Sequence, residues 1–196
     1  SVNPRLVYCS ISGYGQDTPY RDRPAHDLSY TALVGMLSNL IPSGNFEGRP
    51  DVAIGDLSSG MFAALGILGA LFVRERTGAG QYVDVSMTDG LVSWMTTRLV
   101  PFLSGQRGGI GGGGDPSYGI FACSDGKYIT LSIAHEDHFW QNLCQVLGWE
   151  DLAPLKLSER SRRREEIRNR LRQALSTHPR DHWVEVLAAA NVASGP

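Results

Sequence analysis

Cysteine is scarce in this chain, and its spacing excludes more than its number does. Cys9, Cys123 and Cys144 stand far apart among 196 residues. An odd count without C-x-x-C spacing argues against a disulfide framework or a zinc site, and no metal is expected. It fits a reducing compartment, the cytoplasm. All three thiols are expected to be inert core residues. Charge of one sign is lacking as well. Eighteen basic residues face twenty acidic ones, a net charge of −2, which gives no reason to expect nucleic acid. The opening "SVNPRLVYCS" has neither the basic n-region nor the apolar run of a signal peptide. The longest near-apolar run, "GMFAALGILGALFV" at 60–73, falls short of the roughly 20 residues a membrane span needs. It reads as a buried core helix, and no membrane partner is expected. The glycine run at 108–114 is not a P-loop, because Gly-Lys-Ser/Thr is absent, and it lacks the strand–turn–helix context of a dinucleotide fingerprint.

What is present suits one sizeable core, or one core with a small satellite: 42% of residues are hydrophobic and 19% charged. Residues 5–11, "RLVYCSI", read as a short buried strand ending in the glycine turn "SGYGQ". Pro24 and the apolar spacing of Leu28, Ala32, Leu33, Met36 and Leu37 predict one helix over about 25–39. A loop follows at 42–51. A second helix is predicted from near Asp56 to the stop signal "RTGAG". Gly60, Gly66 and Gly69 cost that helix propensity, and are expected to admit a closely packed neighbour. "QYVDVSM" is a strand and "TDGLVSWMTTRLVPFL" a helix. Further on, a hairpin is predicted around Asp125-Gly126, and helices over 135–148, 158–177 and 179–190. In the middle one, "RSRRREEIRNRLR" reads as a solvated, salt-bridged face.

The organisation is therefore α/β. The large domain covers 1–105, a Gly-rich loop or linker 106–116, and a small α+β domain 117–196. A strand pattern starts almost at once after Ser1, and "NVASGP" ends within a turn signal. Both point to a piece of a longer chain, or to a processed one.

Three places could carry chemistry. In "RPAHDLSY", His26 stands at a predicted helix start beside Asp27. It reads either as a polar end group or as a base. A helix start favours a neutral imidazole and an adjacent carboxylate favours the imidazolium, a balance useful to a group that cycles between both. In "AIGDLSSGM", Asp56 reads either as a plain N-cap or as a carboxylate on a pocket floor. In the second case the amides of the helix start would stabilise an anion. Glu136 lies in "SIAHEDHFW", directly after a strand. A metal site is a weak reading of that cluster, since adjacent positions on a helix do not converge on one ion.

The segments "NPRLVYCSISGYGQDTPYRDRPAHDLSYTALVG", "IGDLSSGMFAALGILGAL" and "RTGAGQYVDVSMTDG" occur in that order. Together they resemble the family III CoA-transferases, the CaiB/BaiF superfamily, which also contains alpha-methylacyl-CoA racemase. The resemblance implies a Rossmann-like large domain, a small domain and an interlocked homodimer. Family members are about twice this length, and the chain resembles their middle. It implies acyl-CoA as the substrate and no cofactor beyond the coenzyme A that the substrate carries. Asp56 matches the aspartate that is a nucleophile in the transferases and an acid–base group in the racemase. Transferases generally have an aromatic residue where this chain has His26. "HDLSY" therefore looks like the racemase, with Asp27 alongside. Glu136 is the best match to a glutamate that assists the histidine. Met87, Gly55, Tyr14 and Gly15 fall among the expected substrate contacts, and the 108–114 run matches a mobile glycine loop in position. A racemase needs one group on each face of the α-carbon, so His26 and Asp56 form the expected pair; the alternatives are a CoA-transferase that carries CoA on Asp56, and a fragment that folds and does no chemistry. The amides at the start of the Asp56 helix are the expected donors to the enolate oxygen.

Overall fold

The computed structural model describes residues 3–40, 52–105 and 114–196, in two compact units, Ser1–Gln106 and Arg107–Pro196. The loop read at 42–51 and most of the glycine-rich stretch, 106–113, lie outside the described residues.

In the first unit, strand β1 (Tyr8–Ser12) leads to helices α1 (Asp27–Leu33) and α2 (Met36–Leu40). Helix α3 (Ile54–Thr77), strand β2 (Tyr82–Ser86), and helices α4 (Met87–Trp94) and α5 (Thr96–Leu103) follow. β1 and β2 pair in parallel, from Tyr8 opposite Tyr82 to Ser12 opposite Ser86. The helices between them make the crossover that parallel strands require. The single helix expected at 25–39 is two, because Gly35 takes φ of +75° between them. Helix α3 stops where its sequence says it should. Gly78 adopts φ of +75° and its N–H bonds the Arg74 carbonyl at 2.8 Å. The helix expected at 88–103 breaks at Met95, while Ser86 caps α4 by accepting from the Asp89 amide at 3.2 Å.

Two burial expectations fail here. β1 is not buried: Tyr8 and Ile11 are exposed. Helix α3 is buried along one face only. Its small residues Ser58, Ser59, Ala63 and Ala70 turn inward. Leu57, Met61, Leu65, Leu68 and Phe72 form a stripe of which each residue is 60 to 63% exposed. At 24 residues the helix is also longer than its most apolar run suggested, and by length and composition alone it could cross a membrane. Its packing against β1, β2, α1 and α4 is that of a helix lying on a sheet.

Among its described residues the second unit is a three-stranded antiparallel sheet with four helices. Strands β3 (Gly119–Ala122) and β4 (Tyr128–Leu131) form the expected hairpin, with Gly126 at φ of +73°. Helices α6 (Asp137–Leu147), α7 (Leu157–Arg162), α8 (Arg164–Leu175) and α9 (Arg180–Ala189) follow. The C-terminal stretch read as a turn contributes β5 (Ser194–Gly195), paired with Thr130 and Leu131. Ile129, Leu143, Leu152, Ile167 and Leu187 are fully buried at its centre. Cys123 and Cys144 join this core, whereas Cys9 in the first unit is only half-buried.

Arg160 departs from the solvated face read for its arginine-rich stretch. It is fully buried, and its Nε donates to the equally buried Asp115 at 2.6 Å. Its Nη1 donates to Asp137 at 2.9 Å and to the Leu155 carbonyl at 2.8 Å. A charge withdrawn from water needs this many partners.

Candidate functional site

β1 and β2 run the same way, so their carboxyl ends share one edge. Ligands of open α/β sheets generally sit beyond such an edge. Gly13, Tyr14 and Gly15 follow β1, and Met87 follows β2. The starts of α1 and α3 reach the same place. Tyr14, Ala25, Ile54 and Met87 all pack around the small cluster of Tyr30, Met36 and Leu91. Ala25 precedes His26, and Ile54 precedes Gly55 and Asp56.

His26 is the N-cap residue of α1, with φ of −131° and ψ of 174°. Its carbonyl accepts from Ser29 N at 2.8 Å and Tyr30 N at 3.4 Å, and its ring is exposed. Among the described residues the ring makes no hydrogen bond. Asp27 reaches the start of α3. Its Oδ1 accepts from Gly55 N at 2.5 Å and from Asp56 N at 3.1 Å. Thr31 Oγ1 donates to the Asp27 carbonyl at 2.8 Å and to Asp27 Oδ2 at 3.4 Å. The residue beside His26 therefore caps the helix that carries Asp56.

This arrangement corrects two expectations. Asp56 is not the N-cap of its helix: Ala53 holds that position, and Asp56 lies in the first turn. Nor are the α3 amides free for an enolate oxygen, because Asp27 already occupies those of Gly55 and Asp56. The Asp56 carboxylate is left exposed, and among the described residues it makes no hydrogen bond or ion pair. Gly55 has a steric reason to be glycine. A Cβ there would stand 2.8 Å from Asp27 Oδ1 and 3.3 Å from Leu91 Cδ1.

Gly15 takes φ of +83°, and its amide donates to Ser12 Oγ at 3.1 Å. Tyr14 meets Tyr30 edge to face, with ring centroids 5.1 Å apart. Met87, half-buried, begins α4 between Ser86 and Thr88, whose hydroxyls bond one another at 2.9 Å. His26, Asp27, Gly55, Asp56, Tyr14, Gly15 and Met87 thus gather at one end of the first unit. A cavity of about 360 Å³ borders this end at Ser86, with Phe62, Gly66, Val83, Asp89 and Ser93 also in its lining, and includes neither His26 nor Asp56.

Glu136 belongs to the second unit. It is the N-cap residue of α6, and its Oε2 accepts from Ala134 N at 3.1 Å and His135 N at 3.0 Å. The His135, Glu136 and Ala134 amides hold its carboxyl below the usual carboxylate range. Among the described residues no group of three or more His, Cys, Asp or Glu could hold a metal ion.

Tyr30, absent from the sequence expectations, also belongs to this end. Its phenol is buried and donates to the Ala25 carbonyl at 2.9 Å. Burial pushes this phenol up, with Tyr14 and the Asp56 carboxylate adding to the effect, so it stays a donor. Tyr30 lies four positions after His26, one helical turn away.

The whole chain, residues 1–196, matches the family described as CoA-transferase family III. It is 33% identical to acetyl-CoA:oxalate CoA-transferase of Acetobacter aceti, across all of this chain and 52% of that protein. It is 35% identical to alpha-methylacyl-CoA racemase of Homo sapiens, across 74% of this chain and 40% of that one. The chain thus spans about half the length, or less, of these curated relatives. Its fold is similar to that of a CaiB/BaiF family protein from Brucella suis, with a TM-score of 0.74 and 27% identity. That match covers all of this chain and 53% of the other.

Proposed function

Because the chain belongs to CoA-transferase family III, we propose that it works on acyl-CoA thioesters and inverts the α-carbon of a 2-methylacyl-CoA. His26 and Asp56 are the two proton-transfer groups. The neutral imidazole removes the α-proton from one face while the Asp56 carboxylic acid delivers a proton to the other. The product leaves imidazolium and carboxylate behind, and exchange with solvent restores the pair. For the opposite enantiomer the roles reverse.

One observation carries this reading. The Asp27 carboxylate ties the start of α1, which presents His26, to the start of α3, which presents Asp56. Both functional side chains are exposed beside the clamp, and Met87 and Tyr14 supply apolar surface next to it. A flexible thioether suits an acyl chain whose α-carbon changes hand in place. The same proposal takes the enzyme as an interlocked homodimer with a Rossmann-like large domain. It takes coenzyme A to enter only as part of the substrate.

A second reading has its own support. The Asp56 carboxylate, unpaired among the described residues, is also accessible as a nucleophile. On this reading it attacks the thioester carbonyl, forms a mixed anhydride, and then carries CoA to an acceptor acid. Solvent exchange separates the two. The racemase incorporates deuterium at the α-carbon with no acceptor acid present. The transferase requires the acceptor, and hydroxylamine traps Asp56 as a hydroxamate.

A further inference from the structure

We propose that Tyr30 is a positioning residue for His26: its phenol holds the peptide bond that enters the histidine, and Gly13 exists to admit its ring. The inference rests on the acid–base reading of His26.

Three observations carry it. First, Tyr30 Oη donates to the Ala25 carbonyl at 2.9 Å, and that carbonyl belongs to the peptide bond leading into His26 N. Second, the peptide on the other side of His26 is also held, through its carbonyl, by Ser29 N and Tyr30 N. His26 therefore has both flanking peptide planes fixed while its ring stays exposed. Third, the Tyr30 ring fills the space a side chain at Gly13 would need. A Cβ there would collide with Oη, and would stand 2.5 Å from Cε1 and Cζ. Thr88 N in turn donates to the Gly13 carbonyl at 3.1 Å, which anchors that strand end to the start of α4. The ring is 6% exposed and braced by Tyr14.

An exposed ring on a loose loop samples many orientations, and misplacement by about 1 Å can cost on the order of a hundredfold in rate. Holding the peptide planes limits His26 to side-chain rotation. The hydroxyl sets the histidine's backbone, and the ring sets the hydroxyl. Asp27 works on the other partner by holding the Asp56 amide. The "HDLSY" motif then has three duties on one helical turn: a proton carrier, a clamp for the facing helix, and an anchor for the carrier's own backbone.

The test compares Tyr30→Phe, His26→Ala and Gly13→Ala in deuterium exchange at the α-carbon of a 2-methylacyl-CoA. Tyr30→Phe keeps the ring and removes only the hydroxyl. It is expected to lower kcat about tenfold, leave KM within about twofold, and displace the kcat–pH profile from that of the wild type. Gly13→Ala, which expels the ring, is expected to lower kcat further, again with KM little changed. If His26→Ala exchanges at the wild-type rate, the acid–base reading fails and the positioning role falls with it. If His26→Ala is inactive while Tyr30→Phe keeps the wild-type kcat and pH profile, the positioning role alone is overturned. Loss of the folded circular-dichroism signal in both Tyr30→Phe and Gly13→Ala also overturns it, since the pair would then support the fold rather than the histidine.

Discussion

The Asp27 carboxylate closes two of the four amides that any helix leaves open at its start. It does so from another helix, which makes it both a cap and a clamp. Asp27→Ala is expected to cost about 0.5–2 kcal/mol of stability, because two amides of a helix start, one part-buried and one exposed, lose a charged acceptor. Asp27→Asn, which keeps an acceptor oxygen, should recover part of that loss in urea unfolding. Gly55→Ala should lower turnover through the same contact, by pushing on Asp27 Oδ1. The thiols offer a separate check. Burial pushes the Cys144 thiol up to about 12 and raises that of Cys123, so both stay protonated at pH 8. A thiolate is the reactive form. Native iodoacetamide labelling at pH 8 should therefore modify only half-buried Cys9, with Cys123 and Cys144 labelled after denaturation. At this scale a sequence pattern is legible only where neighbours act on neighbours, as for His26 beside Asp27 at a helix start, and Tyr30, one turn on, carries no such mark. The clamp on Gly55 joins positions 28 apart, and no local pattern announces such a pair. That is why Asp56 read as its own cap.

Among the elements, helix α3 separates good inference from bad. Its stop signal was legible because a left-handed glycine after basic residues is a local event. Its burial was not, because burial depends on which neighbours the fold supplies. The expectation for its glycines divides the same way. A Cβ at Gly66 would meet Val83 Cγ1 at 2.7 Å, as a close neighbour requires, but Gly60 and Gly69 face open space. Gly69→Ala should then stabilise the protein by about 0.5–1 kcal/mol, by restricting the unfolded chain and filling nothing. Gly66→Ala should destabilise it by about 1–3 kcal/mol through overpacking. Thermal unfolding of the two variants side by side reads the opposite signs. Strand β5 escaped notice for a related reason: two residues long, it exists only because Thr130 and Leu131 offer it an edge.

Across the whole molecule the two units differ in how they are held. The first presents its site from loop ends and helix starts around a small cluster. The second has a continuous core and a net of ion pairs. Lys156 and Arg160 hold Asp137 below the usual carboxylate range, Arg170 does so for Asp151, and Arg163 for Glu166. Carboxyls depressed in the folded state stabilise it above their unfolded value of about 4, and that support is lost as pH falls through the folded value. The second unit should therefore hold its melting temperature between pH 6 and 8 and lose it progressively below about pH 4, as followed by tryptophan fluorescence in a Trp94→Phe background, where Trp140, Trp149 and Trp183 are the emitters. Its fold class was legible, since hairpin and helix patterns are local. Its buried Arg160–Asp115 pair was not, because Arg160 sits in a run of charge that looks solvated throughout.

The central claim is that His26 and Asp56 form one acid–base pair acting on an acyl-CoA. The most direct measurement is deuterium incorporation at the α-carbon of a 2-methylacyl-CoA in D₂O, without acceptor acid, for the wild type and for His26→Ala. The account predicts exchange in the wild type and its loss in the variant. Exchange that persists in His26→Ala would contradict it, as would turnover that appears only when an acceptor acid is added and leaves Asp56 open to hydroxylamine.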